Sequence, residues 1–152
     1  MSDPRATPGR GARRAIREFS AGGVVVRRMQ RRPFVAVVRV RDQILALPKG
    51  HPFGEESPAE AAEREVREET GLVVELLEKL GDIRYWYARN GRRVMKTVSF
   101  FLFRYRSGSV ADHDHEVEEA LWIPLDEAPE RLAYKGERDI ARSALSRLEE
   151  GR

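Results

Sequence analysis

Cysteine is missing altogether from this 152-residue chain. Disulfides, thiolate zinc sites, cysteine nucleophiles and iron–sulfur clusters are therefore excluded. Lysine is scarce as well: of 28 basic residues only four are lysine, and arginine supplies the other 24. Arginine's planar fork suits phosphate better than lysine's point charge does. Long apolar runs are lacking. No stretch approaches the ~20 apolar residues of a membrane span, and the N-terminus has no apolar signal core, so the expected address is the cytoplasm, with no membrane partner. Neither sign of charge dominates, since 28 basic residues stand against 25 acidic ones for a net charge of +3. An excess this mild gives little reason to expect a nucleic-acid partner. What remains is 41% hydrophobic and 35% charged, the make-up of one globular domain with a charged skin.

Residues 1–17 hold Pro4, Pro8, Gly9 and Gly11 among Arg5, Arg10, Arg13, Arg14 and Arg17. They read as a disordered basic tail, with a nucleic-acid arm or a targeting peptide as the functional alternatives. The domain is expected over residues 18–152. Residues 19–27 and 34–40 are β-rich runs around a polar turn, and 44–47 is a short apolar run closed by Pro48. Strands are expected over 73–80 and 83–88, followed by an Asn90-Gly91 hairpin turn. A return strand over 94–105 is apolar on both faces in its middle, as a central strand should be. A last strand covers 120–123, and residues 140–148 lie in an amphipathic C-terminal helix. Strands and helices mixed in this order imply α/β/α layering.

The helix over residues 58–70 is punctuated at both ends. Ser57 fits the N-cap, Pro58 the first helical position, Glu60 a capping box and Gly71 the left-handed C-terminal residue. Glu65, Glu68 and Glu69 stand at i, i+3 and i+4, so their carboxylates share one side. Like charges at these spacings cost roughly 0.2–0.5 kcal/mol per pair, and acids at a helix C-terminus oppose its macrodipole. A hard divalent cation such as Mg²⁺ would offset both penalties. Arg64 reaches Glu68 at i+4 and can steady one carboxylate. The competing explanation is a solvated Glu-rich face, which the pairs Glu60–Arg64 and Glu63–Arg67 also fit. The clustering of the other three acids at the unfavourable end favours a metal site.

Gly50, Glu56, Arg64-Glu65-Val66, Glu68-Glu69 and Gly71-Leu72, at these spacings, resemble the signature of the Nudix hydrolases at every defined position. The flanks Leu47-Pro48-Lys49 and Trp122, Leu125, Glu127 and Ala128 resemble that family as well. The resemblance implies an α/β fold, an α/β/α sandwich with a mixed β-sheet. It also implies a Mg²⁺- or Mn²⁺-dependent pyrophosphohydrolase that splits nucleoside diphosphates linked to another moiety by water attack on phosphorus. By the same resemblance Glu65 and Glu69 are the principal metal ligands and Glu68 a further one. Arg64 orients the carboxylates, the Gly50 carbonyl faces the metal and Glu56 braces the helix start. One position departs: many members carry glycine where this chain has Glu55, and Gly54 comes one residue earlier.

The run Leu47-Pro48-Lys49-Gly50-His51 resembles the subgroup acting on diadenosine polyphosphates, and also relatives acting on diphosphoinositol phosphates. Lys49, His51 and Lys96 are candidates for holding a polyphosphate, and Trp86 and Tyr134 for stacking a base. Tyr85 and Trp86 point opposite ways along a strand, so only one of them serves a given face. Hydrolysis of nucleoside triphosphates, of ADP-ribose or of RNA 5′-ends remains open. So does a nucleotide-binding module without turnover, although that class would be expected to lose a carboxylate here and all three are present. His113 and His115, in Asp112-His-Asp-His-Glu116, read as a polar loop rather than as ligands. Attack by water also needs a proton acceptor or further ligand from outside the helix. Glu116 is the candidate, where similar Nudix enzymes often carry a glutamate, with Glu118 and Glu119 as competitors. The partner expected is a small-molecule nucleotide, and nothing in the sequence assigns an oligomeric state.

Overall fold

Turn chemistry and alternation account for most of the sheet. The computed structural model describes residues 15–151, so residues 1–14 of the expected tail lie outside the described residues. Ile16 and Arg17, assigned to that tail by composition, instead open β1 (Ile16–Met29), where they pair with Val94 and Met95. Backbone pairing to a neighbouring strand overrides their polar surroundings. Next come β2 (Arg32–Val40), β3 (Ile44–Ala46) and the two-residue β4 (Lys49–Gly50). The first helix, α1, spans Pro58–Thr70, and its caps are those expected. Glu60 N–H donates to Ser57 Oγ while Glu60 accepts from Ser57 N–H, and Gly71 sits at φ 78°.

β5 (Leu72–Arg89) is one 18-residue strand rather than two. The Gly81-Asp82 step, which reads as a break, is a bulge: the register against β6 (Arg92–Gly108) shifts at Leu76/Glu78 and again at Lys79/Gly81, and pairing continues. Asn90 (φ 52°) and Gly91 (φ 75°) make the expected tight turn. β7 (Glu119–Pro124), the short α2 (Ala128–Arg131) and α3 (Lys135–Glu150) complete the chain. The C-terminal helix therefore begins five residues before the apolar stripe that announces it.

The strand order is β3-β2-β1-β6-β5, with β7 also on β2 and β4 on β1; β1 and β6 run parallel, making the sheet mixed. Two cores follow from the two faces. One holds Ala61, Ala62 and Val66 of α1 against Ala21, Val25, Phe101 and Phe103. The other holds Ile140, Ala141 and Ala144 of α3 against Val24, Val98, Phe100 and Leu102. Phe100 to Phe103 are all buried, two on each side, as a central strand requires. This is the expected α/β/α sandwich. Among the described residues no helix is long and apolar enough to cross a membrane.

Candidate active site

α1 lies against β1 and β4 so that its carboxylate side meets Gly50. A Cβ at Gly50 would stand 2.2 Å from the Glu65 carboxylate, so only glycine lets the two elements close. Arg64 is the hub of the cluster. Its Nε donates to Glu56 Oε2 (2.7 Å), one terminal nitrogen to Glu65 and Glu68 (3.1 Å each), and the other to the His51 carbonyl (2.8 Å). The guanidinium also lies 3.7 Å from the centre of the Phe53 ring. These carboxylates hold Arg64 protonated well beyond its usual range. Arg64 and the Phe53 N–H in turn hold the Glu56 carboxyl below its ordinary value. Arg64 therefore braces both Glu56 and Glu68.

The remaining acids are destabilised as anions. Burial pushes the Glu65 carboxyl up against the pull of Arg64, and the charges of Glu68 and Glu116 add to the push. Burial pushes Glu69 up to about 8, although the Lys49 backbone N–H donates to its Oε1 at 3.2 Å. Among the described residues no group of three His, Asp or Glu side chains already stands as a coordination shell. Arg64 occupies the space between Glu65 and Glu68. The donor set still fits a hard divalent cation: carboxyl oxygens, two of them on groups that burial makes costly to ionise without a cation, beside a glycine with no side chain to obstruct them.

The loop 113–118 brings the fourth carboxylate. Asp114 N–H donates to the Glu68 carbonyl at 2.9 Å, and Glu116 N–H to Asp114 Oδ1 at 3.0 Å. Glu116 is thereby near enough for its charge to act on Glu65, and Asp114 near enough to act on Glu69. Asp114 was not among the expected site residues. Glu119 opens β7 and pairs with Arg39 at 3.0 Å, away from the cluster. β7 does not extend back to Glu116, so strand alternation does not govern that residue. Among the described residues His113 and His115 join no group of three His, Asp or Glu side chains that could hold a metal.

A groove of about 790 Å³ lies on the α3 side, between Ile83 and Tyr85 of β5 and the first turn of α3. Tyr85, Tyr134 and Lys49 all line it. Lys49 Nζ pairs with Glu137 Oε2 at 2.8 Å and stands 5.4 Å from the Tyr134 ring centre. Glu137 is 1% exposed and also accepts the Leu47 N–H at 2.8 Å. Sequence gives no signal for it, because glutamate in a first helical turn is ordinarily solvated. Lys96 is buried near Glu18 (3.7 Å) on the same sheet face, with burial lowering its pKa. Trp86 lies on the opposite face, beside Met95 and Phe19. Tyr85, not Trp86, is the strand ring at this groove. Alternation from core-packed Ile83 puts Tyr85 on this face, but packing decides which face carries the groove. His51 turns its ring to the Phe19 carbonyl (3.1 Å).

Known proteins resemble the chain in sequence and in fold. A protein of Mycobacterium tuberculosis named as a mutator protein, MutT4, is 42% identical over 147 residues, covering 91% of this chain and 59% of the relative. An 8-oxo-(d)GTP phosphatase of Mycolicibacterium smegmatis is 32% identical over 114 residues, covering 74% of this chain and 34% of that protein. The chain thus spans little more than half of one curated relative and a third of the other. Among solved structures, the Ap4A hydrolase of C. elegans shares the fold with a TM-score of 0.66 at 20% identity, over 88% of this chain and 99% of that one. The NUDIX domain of Shewanella oneidensis NrtR, solved with ADP ribose, has a TM-score of 0.69 at 17% identity, over 91% of this chain and 92% of that one. The NUDIX domain model matches residues 7–144, from the carboxylate helix through both cores, and the chain accordingly belongs to the NUDIX domain family.

Proposed function

We propose that the chain is a divalent-metal-dependent pyrophosphohydrolase that cleaves a phosphoanhydride bond of a nucleotide by water attack on phosphorus. One observation carries this reading: Lys49 touches both halves of the site. Its backbone N–H holds Glu69, and its ammonium stands 5.4 Å from the Tyr134 ring centre in the groove that Lys49 helps to line. A nucleoside seated between Tyr85 and Tyr134 would thus run its phosphates over Lys49 toward the carboxylates. Glu65, Glu68, Glu69, the Gly50 carbonyl and Glu116 would hold Mg²⁺ or Mn²⁺. When bound, such an ion neutralises phosphate charge and lowers the pKa of water. Arg64 keeps Glu56, Glu65 and Glu68 in register. Where Glu116 is not itself a ligand, it would take the proton of the attacking water. No covalent intermediate is called for, since there is no cysteine and no serine in a nucleophile turn.

The finer proposal is a diadenosine polyphosphate substrate. Leu47–His51 supports it, with Lys49 and Lys96 on the groove side of the sheet. A second reading, a nucleoside triphosphate, is favoured by the name of the Mycolicibacterium smegmatis relative, an 8-oxo-(d)GTP phosphatase. A substrate panel with Mg²⁺ and Mn²⁺ in ¹⁸O-water, products identified by mass, tests both. Diadenosine compounds of four or more phosphates should give the highest kcat/KM, with one ¹⁸O in one phosphate product. A preference for nucleoside triphosphates moves the substrate to the second reading, and no turnover of any nucleotide overturns the activity.

A further inference from the structure

A net charge of +3 averages over faces, and one face of the sheet departs from the average. Alternation puts Arg17 and Phe19 of β1, Met95 and Thr97 of β6, and Arg84 and Trp86 of β5 on the α1 side, in line with the core residues Ala21, Val25, Phe101 and Phe103. The helix does not reach this end of the sheet, and Phe19 and Trp86 stay 56% and 47% exposed. Register across the three strands arranges the six residues in two rows. Arg17 pairs with Met95 and Met95 with Trp86; Phe19 pairs with Thr97 and Thr97 with Arg84. Each row has a ring at one end and a guanidinium at the other, and the order reverses between rows. The six line a shallow cavity of about 150 Å³. Arg93 adds a third cation, 4.1 Å from the Trp86 ring centre. Asp82, 3.7 Å from Arg84, is already engaged by Lys79 and Ser99.

We propose that this face binds single-stranded nucleic acid, with bases stacking on Trp86 and Phe19 and phosphodiesters held by Arg17, Arg84 and Arg93. Strand spacing sets the two rings roughly 12 Å apart, too far to stack on each other, so each is left to a separate base. Rings interleaved with guanidiniums match a ligand whose flat bases alternate with anionic phosphates. The face also adjoins the carboxylate cluster: the Phe19 carbonyl meets His51, whose own carbonyl accepts from Arg64. This binding stands apart from the proposed hydrolysis and needs no turnover.

Fluorescence anisotropy tests it with labelled oligo(U) and oligo(dT) of about ten nucleotides, within the usual span of such sites, and the full chain in EDTA. Binding of either oligonucleotide is expected. Trp86→Ala and Phe19→Ala should each weaken it by about ten-fold or more, the scale of losing one stacked base. Trp86→Phe, which keeps a ring, should recover most of the affinity. Arg17→Ser and Arg84→Ser should each flatten the slope of log K against log salt by about 0.7. Equal affinity for the two oligonucleotides means that bases and phosphates alone are read, and a preference means that the sugar is read too. No binding of either at low salt overturns the proposal. So do alanine variants that keep the parent's circular dichroism and its affinity, and so does a dimer that Trp86→Ala dissolves.

Discussion

At the residue scale the site turns on two side chains that meet the same problem in opposite ways. Arg64 is paired on all sides, and its fork spans Glu56, Glu65, Glu68 and the His51 carbonyl at once. A lysine cannot match that planar geometry. Arg64→Lys should lower stability by about 2 kcal/mol, the scale of leaving charged hydrogen-bond partners unmet, and should weaken Mg²⁺ binding; thermal melts and calorimetric metal titration measure the two effects. Glu69 has the reverse character, a carboxylate with one backbone donor and little solvent. Its pKa of about 8 lies above the ordinary 4.5. Between those values the folded chain keeps a proton that the unfolded chain has released, so the metal-free protein should lose stability as pH rises through that window. Glu69→Gln cannot ionise. In EDTA its Tm should hold across the window while the parent's falls by roughly 5 °C or more relative to it. The same variant should lose kcat by at least about 100-fold if Glu69 holds metal. A variant that melts far below the parent yet keeps its turnover would make Glu69 structural.

At the element scale the carboxylates are delivered by a helix whose ends are chemically marked and by a loop that is not. Ser57, Pro58, Glu60 and Gly71 fix both ends of α1 by local hydrogen bonds and backbone preference, so its limits could be read residue by residue. The loop 113–118 is fixed by contacts distant in sequence, Asp114 N–H on the Glu68 carbonyl and Glu118 N–H on the Arg39 carbonyl. Glu116 could be nominated from sequence, but its approach to Glu65, and that of Asp114 to Glu69, could not be derived. Glu116→Gln should lower kcat at least ~100-fold, within the range for a lost general base. Glu119→Gln, at an exposed pair with Arg39, should cost little. Turnover of both at saturating Mg²⁺ across pH separates a lost base from a lost ligand, because extra metal rescues only the ligand. Gly50→Ala tests the seam between β4 and α1. Its new methyl meets the Glu65 carboxylate, so metal affinity should fall by about ten-fold or more even where the fold survives, as a misplaced ligand shell does.

At the scale of the whole molecule the sheet separates two surfaces. The α3 face carries the groove with Lys49, Tyr85 and Tyr134, and the α1 face carries the carboxylates and the two rows that hold Phe19 and Trp86. Tyr85→Ala and Tyr134→Ala should each raise KM for the preferred nucleotide by about ten-fold with a smaller change in kcat, as lost stacking of one base predicts; steady-state kinetics on both variants checks this. Composition excluded thiol chemistry, and local pattern determined the capped helix, the Asn90-Gly91 turn and the central strand Phe100–Phe103, because each depends on residues within a few positions of one another. It also lined up Glu65, Glu68 and Glu69 on one side of α1. Tertiary structure alone decided that Gly81 is a bulge within one long strand, that Ile16 and Arg17 join the sheet, that Glu137 is buried beneath Lys49 and that Tyr85 rather than Trp86 reaches the groove. Each of these follows from strand register or from packing between residues tens of positions apart, and no local preference in the chain encodes that choice.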